Sequence, residues 1–142
     1  MITRVKTFLL LLVPFLAACS KDSEQRPQYL PEVIVNEQIN LTNQQYNSLQ
    51  RDYGFVSIPG GIRGIIIVRH SANRYLAFER NCTYQPYDSC ATVKVDQSSL
   101  FLSDPCCGSR FDFEGGIISG PAAYPLKQYA TSLSGNMLYI SN

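Results

Sequence analysis

Short apolar segments, each closed by turn-forming residues, limit the fold of this 142-residue chain more than any other feature of its sequence. Residues 33–41 alternate apolar and polar side chains, which is typical of a half-buried strand. Residues 65–68 are an unbroken β-branched run, which is typical of a strand buried on both faces. One short helix, capped by Thr42 or Asn43, is expected through Leu49. The pattern predicts an all-β domain with about ten strands, at residues 33–41, 53–58, 65–68, 75–80, 92–96, 100–103, 111–113, 116–118, 126–131 and 137–141.

The N-terminal residues predict a protein that is exported and then held at a membrane. Arg4 and Lys6 precede an apolar run at residues 8–18, which is the order found in export signals. Residues 16–19, Leu-Ala-Ala-Cys, resemble the lipobox of bacterial lipoproteins. This resemblance implies acylation of Cys19, with each buried methylene contributing about 0.8 kcal/mol to membrane binding. An ordinary secretory signal with a chance cysteine is the alternative.

A short tether and one domain are the expected products of this processing. Residues 1–18 are the signal peptide, and the polar residues 19–31 form a tether that begins at the lipidated cysteine. Residues 32–142 remain for a single domain. Ser20 resembles the sorting residue of outer-membrane lipoproteins, so we expect a lipid-anchored protein of the bacterial cell envelope, at the outer membrane.

The balance of charge gives no basis for a nucleic-acid partner. The chain has 12 basic and 11 acidic residues, and removal of Arg4 and Lys6 with the signal leaves a slight acidic excess. Proteins that bind nucleic acid present a basic field, which this composition does not supply. The expected partners are therefore the membrane, through the lipid anchor, and a protein.

Four of the five cysteines lie in two segments between predicted strands, at residues 82–90 and 104–111. These segments, together with residues 116–126, resemble the Rieske iron–sulfur domain family. The matching residues are Cys82 and Thr83 in the first segment, Pro105, Gly108, Ser109 and Phe111 in the second, and Gly120, Pro121, Ala122 and Leu126 in the third. The resemblance implies a Rieske-like domain of antiparallel strands over residues 32–142, with two cysteine-bearing loops and a proline loop.

The family's four ligand positions fall here on Cys82, Tyr84, Asp104 and Cys107. A Rieske cluster binds one iron through two thiolates and the other through two imidazoles, and only Cys82 keeps the expected type. The single histidine, His70, matches neither histidine position. We therefore expect no [2Fe–2S] cofactor and no metal, and the four residues mark vacated cluster positions. The alternative is a cluster or metal held through a non-standard set of these same residues.

The loop cysteines predict disulfides, because an exported protein folds in an oxidising compartment. Four cysteines allow three pairings, and pairing Cys106 with Cys107 would leave the loops unlinked. The Rieske resemblance implies Cys90–Cys106, because some members join their loops at the residue before the second histidine position. Cys82–Cys107 would then span the vacated site, while the crossed pairing, Cys82–Cys106 with Cys90–Cys107, stays open. Both of these choices leave no free thiol among the four.

No other group of residues predicts catalysis. A four-thiolate metal site is disfavoured because two of the cysteines are adjacent and no C-x-x-C pair occurs, and thiol–disulfide exchange is disfavoured by the same lack. Ser109 is outside any nucleophile elbow, and residues 60–64 lack the lysine of a phosphate loop. The Rieske resemblance implies that Tyr84, Tyr87 and Tyr124 meet at the loop tip, where they either bind a partner or pack beneath the loop.

Together these features predict a membrane-anchored envelope lipoprotein that is not an enzyme. Its domain is expected to act as a binding or structural module, with disulfides in place of the cluster. The alternative function is electron transfer through iron held by the non-standard ligand set.

Overall fold

The computed structural model describes residues 30–142, so the predicted signal peptide, Cys19 and most of the tether lie outside the described residues. This part of the chain forms ten strands. They are β1 (Asn36–Asn40), β2 (Phe55–Ile58), β3 (Ile65–Ser71), β4 (Arg74–Glu79), β5 (Lys94–Val95), β6 (Leu102–Ser103), β7 (Arg110–Phe111), β8 (Ile117–Ser119), β9 (Gln128–Ser134) and β10 (Met137–Ser141), with one 3-10 helix at Gln44–Gln50. Within residues 30–142, no helix has the length and apolar character needed to cross a membrane.

The strands form two antiparallel sheets. The larger has the order β1-β10-β9-β4-β3-β2, and the smaller has the order β5-β6-β7-β8. The small sheet and its connecting loops are inserted in the chain between β4 and β9, which are themselves neighbours in the large sheet. The prediction of an all-β, antiparallel domain is confirmed.

Strand β3 shows why the sequence folds into two layers of core. Its four residues from Ile65 to Val68 have no exposed surface. Because successive side chains of a strand point to opposite faces, Ile65 and Ile67 pack in one apolar cluster, while Ile66 and Val68 pack in the other. The unbroken apolar run is therefore the signature of a strand covered on both faces, as the sequence predicts.

The second apolar cluster joins the small sheet to the large one and carries the loops. It contains Phe78 of β4, Leu102 of β6 and Phe111 of β7. Cys82, at the start of the first cysteine segment, and Ala91, which directly follows its end, are buried in the same cluster. The ends of that segment are therefore fixed by the core.

Local predictions differ from the structure mainly at element ends. The hairpin expected from residues 92–103 forms, with Lys94 opposite Ser103, but its strands have only two residues each. The expected helix is a 3-10 helix, and the side chain of its N-cap residue, Asn43, makes no capping hydrogen bond. The Asn40 side chain instead accepts hydrogen bonds from the amide and hydroxyl of Thr42. Asn43 is therefore the N-cap residue, as expected, but the expected side-chain capping hydrogen bond does not form.

Candidate functional site

Three connecting segments meet at one end of the small sheet, and we call them loop 1 (residues 82–90), loop 2 (residues 104–109) and the proline loop (residues 120–126). The Thr83 hydroxyl of loop 1 donates a hydrogen bond to the carbonyl of Tyr124, at 2.7 Å. The amide of Ala122 donates to Ser109 Oγ of loop 2, at 3.1 Å. Each cysteine loop is therefore joined to the proline loop by a hydrogen bond.

The proline loop lies against loop 2 at a glycine. Gly120 has a positive φ of 102°, and a Cβ at this position would lie 2.5 Å from Ser109 Cα. Since no side chain fits in that space, glycine is what allows the two backbones to approach.

Side chains from the two cysteine loops converge beneath the proline loop. Single ligand atoms of Cys82, Asp104 and Cys107 all lie within 4.8 Å of one another, and we call these three residues the Cys–Asp–Cys cluster. The two sulfurs are 3.8 Å apart, and Cys107 Sγ is 3.3 Å from Asp104 Oδ2. Cys82 and Asp104 are fully buried, while Cys107 is half-buried.

Loop 2 is folded by its own first residue. Asp104 Oδ1 accepts a hydrogen bond from the Cys106 amide, and the Asp104 carbonyl accepts one from the Gly108 amide. This turn directs the other carboxylate oxygen, Oδ2, toward the Cys107 sulfur. Asp104 therefore shapes the loop and contributes a carboxylate oxygen to the cluster as a potential metal ligand.

Ser109 contacts both the Cys107 sulfur of the cluster and the proline loop. Its Oγ lies 3.1 Å from Cys107 Sγ, and its amide donates to the same sulfur at 3.4 Å. Ser109 is fully buried, and its Oγ also accepts the Ala122 amide. It thus links the sulfur of loop 2 to the proline loop.

The electrostatic environment keeps Cys82 protonated. Burial raises the pKa of the Cys82 thiol well above its ordinary value, and a hydrogen bond to Asp104 and the charge of its carboxylate raise that pKa further. A hydrogen bond from the Tyr84 amide to the sulfur lowers this pKa; its influence is smaller than that of burial but larger than either effect of Asp104. Without a bound cation, Cys82 is therefore a neutral thiol.

No protein-family model matches the chain. Two similar curated proteins are both cytochrome b6-f complex iron–sulfur subunits. The one from Chlorobaculum thiosulfatiphilum is 33% identical over 76 residues, which are 54% of this chain and 40% of the relative. The one from Chlorobaculum tepidum is 31% identical over 77 residues, again 54% of this chain and 40% of the relative. The chain therefore matches less than half the length of these curated relatives.

A solved structure shares the fold. The cyanobacterial plasma membrane Rieske protein of Synechocystis PCC 6803 superposes with a TM-score of 0.52 and 24% sequence identity, over 63% of this chain and 87% of that protein. The domain is Rieske-like. The Rieske resemblance of the two cysteine loops and the proline loop is therefore confirmed.

The residues at the four ligand positions of this Rieske-like domain differ from the ligand set of a Rieske [2Fe–2S] cluster. In a Rieske centre, two thiolates bind one iron and two imidazoles bind the other, so Cys82 and Cys107 stand at positions that serve different irons. Their sulfurs are 3.8 Å apart, a separation that suits two ligands of a single ion. The remaining positions offer a carboxylate at Asp104 and a phenol at Tyr84, and neither is a ligand of a Rieske cluster.

The single histidine is engaged elsewhere. His70 lies at the end of β3, where its Nε2 is 2.8 Å from Glu114 Oε1. Its ring also lies beside that of Tyr53, with centroids 6.0 Å apart. The partner carboxylate is 44 residues further along the chain, so no local pattern in the sequence could reveal this pair.

The cysteines follow the predicted pairing only in part. Cys90 and Cys106 form a disulfide that joins loop 1 to loop 2, as the Rieske resemblance implies. Cys82 and Cys107 are free thiols, so the expectation that all four cysteines pair is wrong in this structure. Both sulfurs instead contact Asp104, and their separation of 3.8 Å is well beyond the roughly 2.0 Å of a disulfide bond.

Tyr84 falls on a ligand position of the Rieske family, but its side chain packs against the core. Its side chain is half-buried and packs against the second apolar cluster, while its backbone amide bonds Cys82. Of the other loop-tip tyrosines, Tyr87 is 78% exposed and Tyr124 is 39% exposed. Packing beneath the loop thus describes Tyr84, whereas Tyr87 and Tyr124 present surface to solvent.

Arg63 holds loop 1 from the glycine-rich turn at residues 60–64. Its guanidinium donates to the carbonyls of Asp88 and Ser89 and to the side chain of Asn81. No local sequence pattern indicates this role of the turn, because the loop that Arg63 contacts is about 25 residues away along the chain.

Proposed function

We propose that this chain is a membrane-anchored envelope lipoprotein whose Rieske-like domain has lost the [2Fe–2S] ligands. In this proposal the domain is a non-enzymatic binding or structural module. The observation that carries it is the Cys–Asp–Cys cluster, because its residue types and its short sulfur–sulfur distance are unsuited to two bridged irons.

Contacts within the chain support the loops in place of the cofactor. In a Rieske centre the cluster itself connects loop 1 to loop 2. Here the Cys90–Cys106 disulfide makes that connection, and Arg63 braces loop 1 from the other side. The proline loop adds hydrogen bonds to Thr83 and Ser109. A loop tip held by these contacts can present a fixed surface without an iron–sulfur cluster.

The exposed aromatic residues favour a protein partner at the loop tip. Tyr87 of loop 1 and Tyr124 of the proline loop are both exposed, and these two loops are joined by the hydrogen bond between Thr83 and the Tyr124 carbonyl. Tyrosine is enriched at the energetic centres of protein interfaces, where its ring is buried by the partner. We therefore place the binding surface of the proposed module at Tyr87 and Tyr124.

The proposed location rests on the N-terminal sequence. The lipobox resemblance at residues 16–19 supports acylation of Cys19, and the polar residues that follow support a tether.

Restoration of the ligands tests the proposed loss directly. The variant Tyr84→His with Asp104→Cys and Cys107→His places the Rieske donor types at all four positions. The wild-type chain and this variant are each incubated with ferrous iron and sulfide without oxygen. We expect the restored variant to gain the visible absorption of a [2Fe–2S] cluster, while the wild-type chain stays colourless. A wild-type chain that takes up two irons and two sulfides would overturn the proposal, whatever the variant does.

A second candidate function is electron transfer through iron bound by the non-standard set. The convergence of Cys82, Asp104 and Cys107 favours it, because two sulfurs and a carboxylate oxygen can bind iron. The two curated relatives are named as iron–sulfur subunits. A reversible one-electron couple in the anaerobically purified protein would support this candidate, and its absence in iron-loaded protein would reject it.

A further inference from the structure

Two distances within the Cys–Asp–Cys cluster are close to those between the ligand atoms of a small tetrahedral ion. Zinc–sulfur bonds of about 2.3 Å at tetrahedral angles separate two thiolate sulfurs by about 3.8 Å. The sulfurs of Cys82 and Cys107 are 3.8 Å apart. A zinc–oxygen bond of about 2.0 Å would place a carboxylate oxygen about 3.5 Å from either sulfur, and Asp104 Oδ2 lies 3.3 Å from Cys107 Sγ.

The surroundings of the cluster resemble those of a built metal site. Two of its three residues are fully buried, so the donors are held by the core rather than by mobile surface loops. Metal ligands are usually oriented by outer hydrogen bonds. Here the Ser109 amide and hydroxyl contact the Cys107 sulfur, and the Cys106 amide holds the carboxylate of Asp104.

We propose that Cys82, Asp104 and Cys107 bind one zinc ion, with water as the fourth ligand. This inference rests on the proposed loss of the [2Fe–2S] cluster, whose position the zinc ion takes. Binding exchanges the two thiol protons for Zn²⁺, so two protons are released and the charges of two thiolates and one carboxylate face the cation. Zinc has no redox chemistry of its own, which agrees with a module that does not transfer electrons.

Zinc also explains how two close thiols persist in an oxidising compartment. Cys82 and Cys107 are near enough to form a disulfide after a small movement, and an oxidant of the disulfide-exchange class would take up the two electrons released. Coordination occupies both sulfurs, so the bound ion and that disulfide exclude each other. The proposed site thus keeps loop 2 in the arrangement seen here.

Metal titration of the full chain, purified without oxygen or chelator, tests the inference. Zn²⁺ is added and bound metal is counted by native mass spectrometry. Co²⁺ serves as the spectroscopic probe, since sulfur-to-cobalt charge transfer and intense visible bands report a tetrahedral thiolate site. We expect one zinc ion per chain, and one cobalt ion with both features.

Variants separate this site from adventitious binding. Asp104→Asn should weaken zinc binding by more than the roughly 10–100-fold that loss of an outer-shell partner costs. Cys82→Ser with Cys107→Ser should abolish the charge-transfer band. Asp88→Asn, a control at an exposed carboxylate of loop 1, should leave affinity unchanged. Circular dichroism confirms that each variant is folded.

The outcomes distinguish this inference from the proposed function. A wild-type chain that binds neither zinc nor cobalt, with Cys82 and Cys107 titratable as thiols, would overturn the zinc site and leave the loss of the cluster standing. Affinity that is equal in wild type and Asp104→Asn would also overturn it. Iron with stoichiometric sulfide in the wild type would overturn both.

Discussion

Glu79 has a fully buried carboxylate that is satisfied entirely by hydrogen-bond donors. It accepts from the amides of Ile62, Arg63 and Asn81 and from the hydroxyl of Tyr129, at 2.7 to 3.0 Å. Because the first two amides belong to the glycine-rich turn, Glu79 fixes the segment from which Arg63 reaches loop 1. The backbone amides of the glycine-rich turn therefore bind the Glu79 side chain of the protein itself.

Replacement of Glu79 should be costly although the change is small. In Glu79→Gln an amide nitrogen faces backbone N–H donors, which leaves buried groups unsatisfied. We expect the free energy of unfolding to fall by about 3 kcal/mol, measured by urea denaturation. Glu32→Gln, at an exposed carboxyl group, is the matched control and should change it by less than about 0.5 kcal/mol. Equal stability of the two variants would contradict this account of Glu79.

Tyr129 should make stability fall at alkaline pH. Burial raises the pKa of the Tyr129 phenol above its ordinary value, and the hydrogen bond to Glu79 and the charge of its carboxylate add to this effect. The neutral phenol is favoured in the folded state, so its contribution is complete below about pH 10 and is lost as pH rises above that unfolded-state value. The stability difference between wild type and Tyr129→Phe should therefore decrease by about 1.4 kcal/mol per pH unit above about pH 10. Parallel pH profiles for the two proteins would contradict this.

Residue identities at the site were readable from the sequence, but their partnerships were not. The absence of histidine at residues 84 and 107 needs only the printed sequence and the motif. That Cys107 contacts Asp104 and Ser109 depends on how loop 2 turns, and the turn is set by backbone hydrogen bonds within residues 104–109. The cysteine pattern therefore predicts a second disulfide where the structure has two thiols and a carboxylate.

At the scale of elements, the Cys90–Cys106 disulfide is the covalent link between loop 1 and loop 2. The chain-entropy model assigns about 3 kcal/mol to closure of a loop of this length, 16 residues in sequence. Cys90→Ser with Cys106→Ser should therefore lower the free energy of unfolding by about that amount. Urea denaturation measures it, and Ser89→Ala in the same loop is a control whose side chain has no role in the link.

A double variant as stable as wild type would contradict the proposed role of the disulfide. Equal rates of cleavage of loop 1 by limited proteolysis in the two proteins would also contradict it. Faster cleavage within residues 82–90 is the expected result, because only hydrogen bonds, among them those from Arg63, would then hold the loop.

The strands were predictable to different degrees for physical reasons. Alternation or a continuous apolar run marks β3, β4 and β10, whose side chains fill the core. Strands β5, β6 and β7 have two residues each, too few for any periodicity, and were found only because turn residues flank them. The 3-10 helix was placed correctly, but its type and its cap depend on hydrogen bonds that propensity does not specify.

At the scale of the whole molecule, the lipid anchor is the part of the account that depends on sequence alone. Cys19→Ser removes the acylated residue and should move the protein from the membrane fraction to the soluble fraction, because no acyl chain then contributes to binding. Fractionation of cells and labelling with a fatty-acid analogue measure this change. Ser20→Ala is the matched control and should remain membrane-bound and labelled. Labelling that persists in Cys19→Ser would contradict acylation at this residue.

The central claim is that a Rieske fold persists here without a Rieske cluster. Iron and acid-labile sulfide, measured together in wild-type protein from iron-replete cells and purified without oxygen, test this claim most directly. We predict neither element in stoichiometric amount, because Tyr84, Asp104 and Cys107 replace three of the four ligands. Two irons and two sulfides per chain would contradict the account.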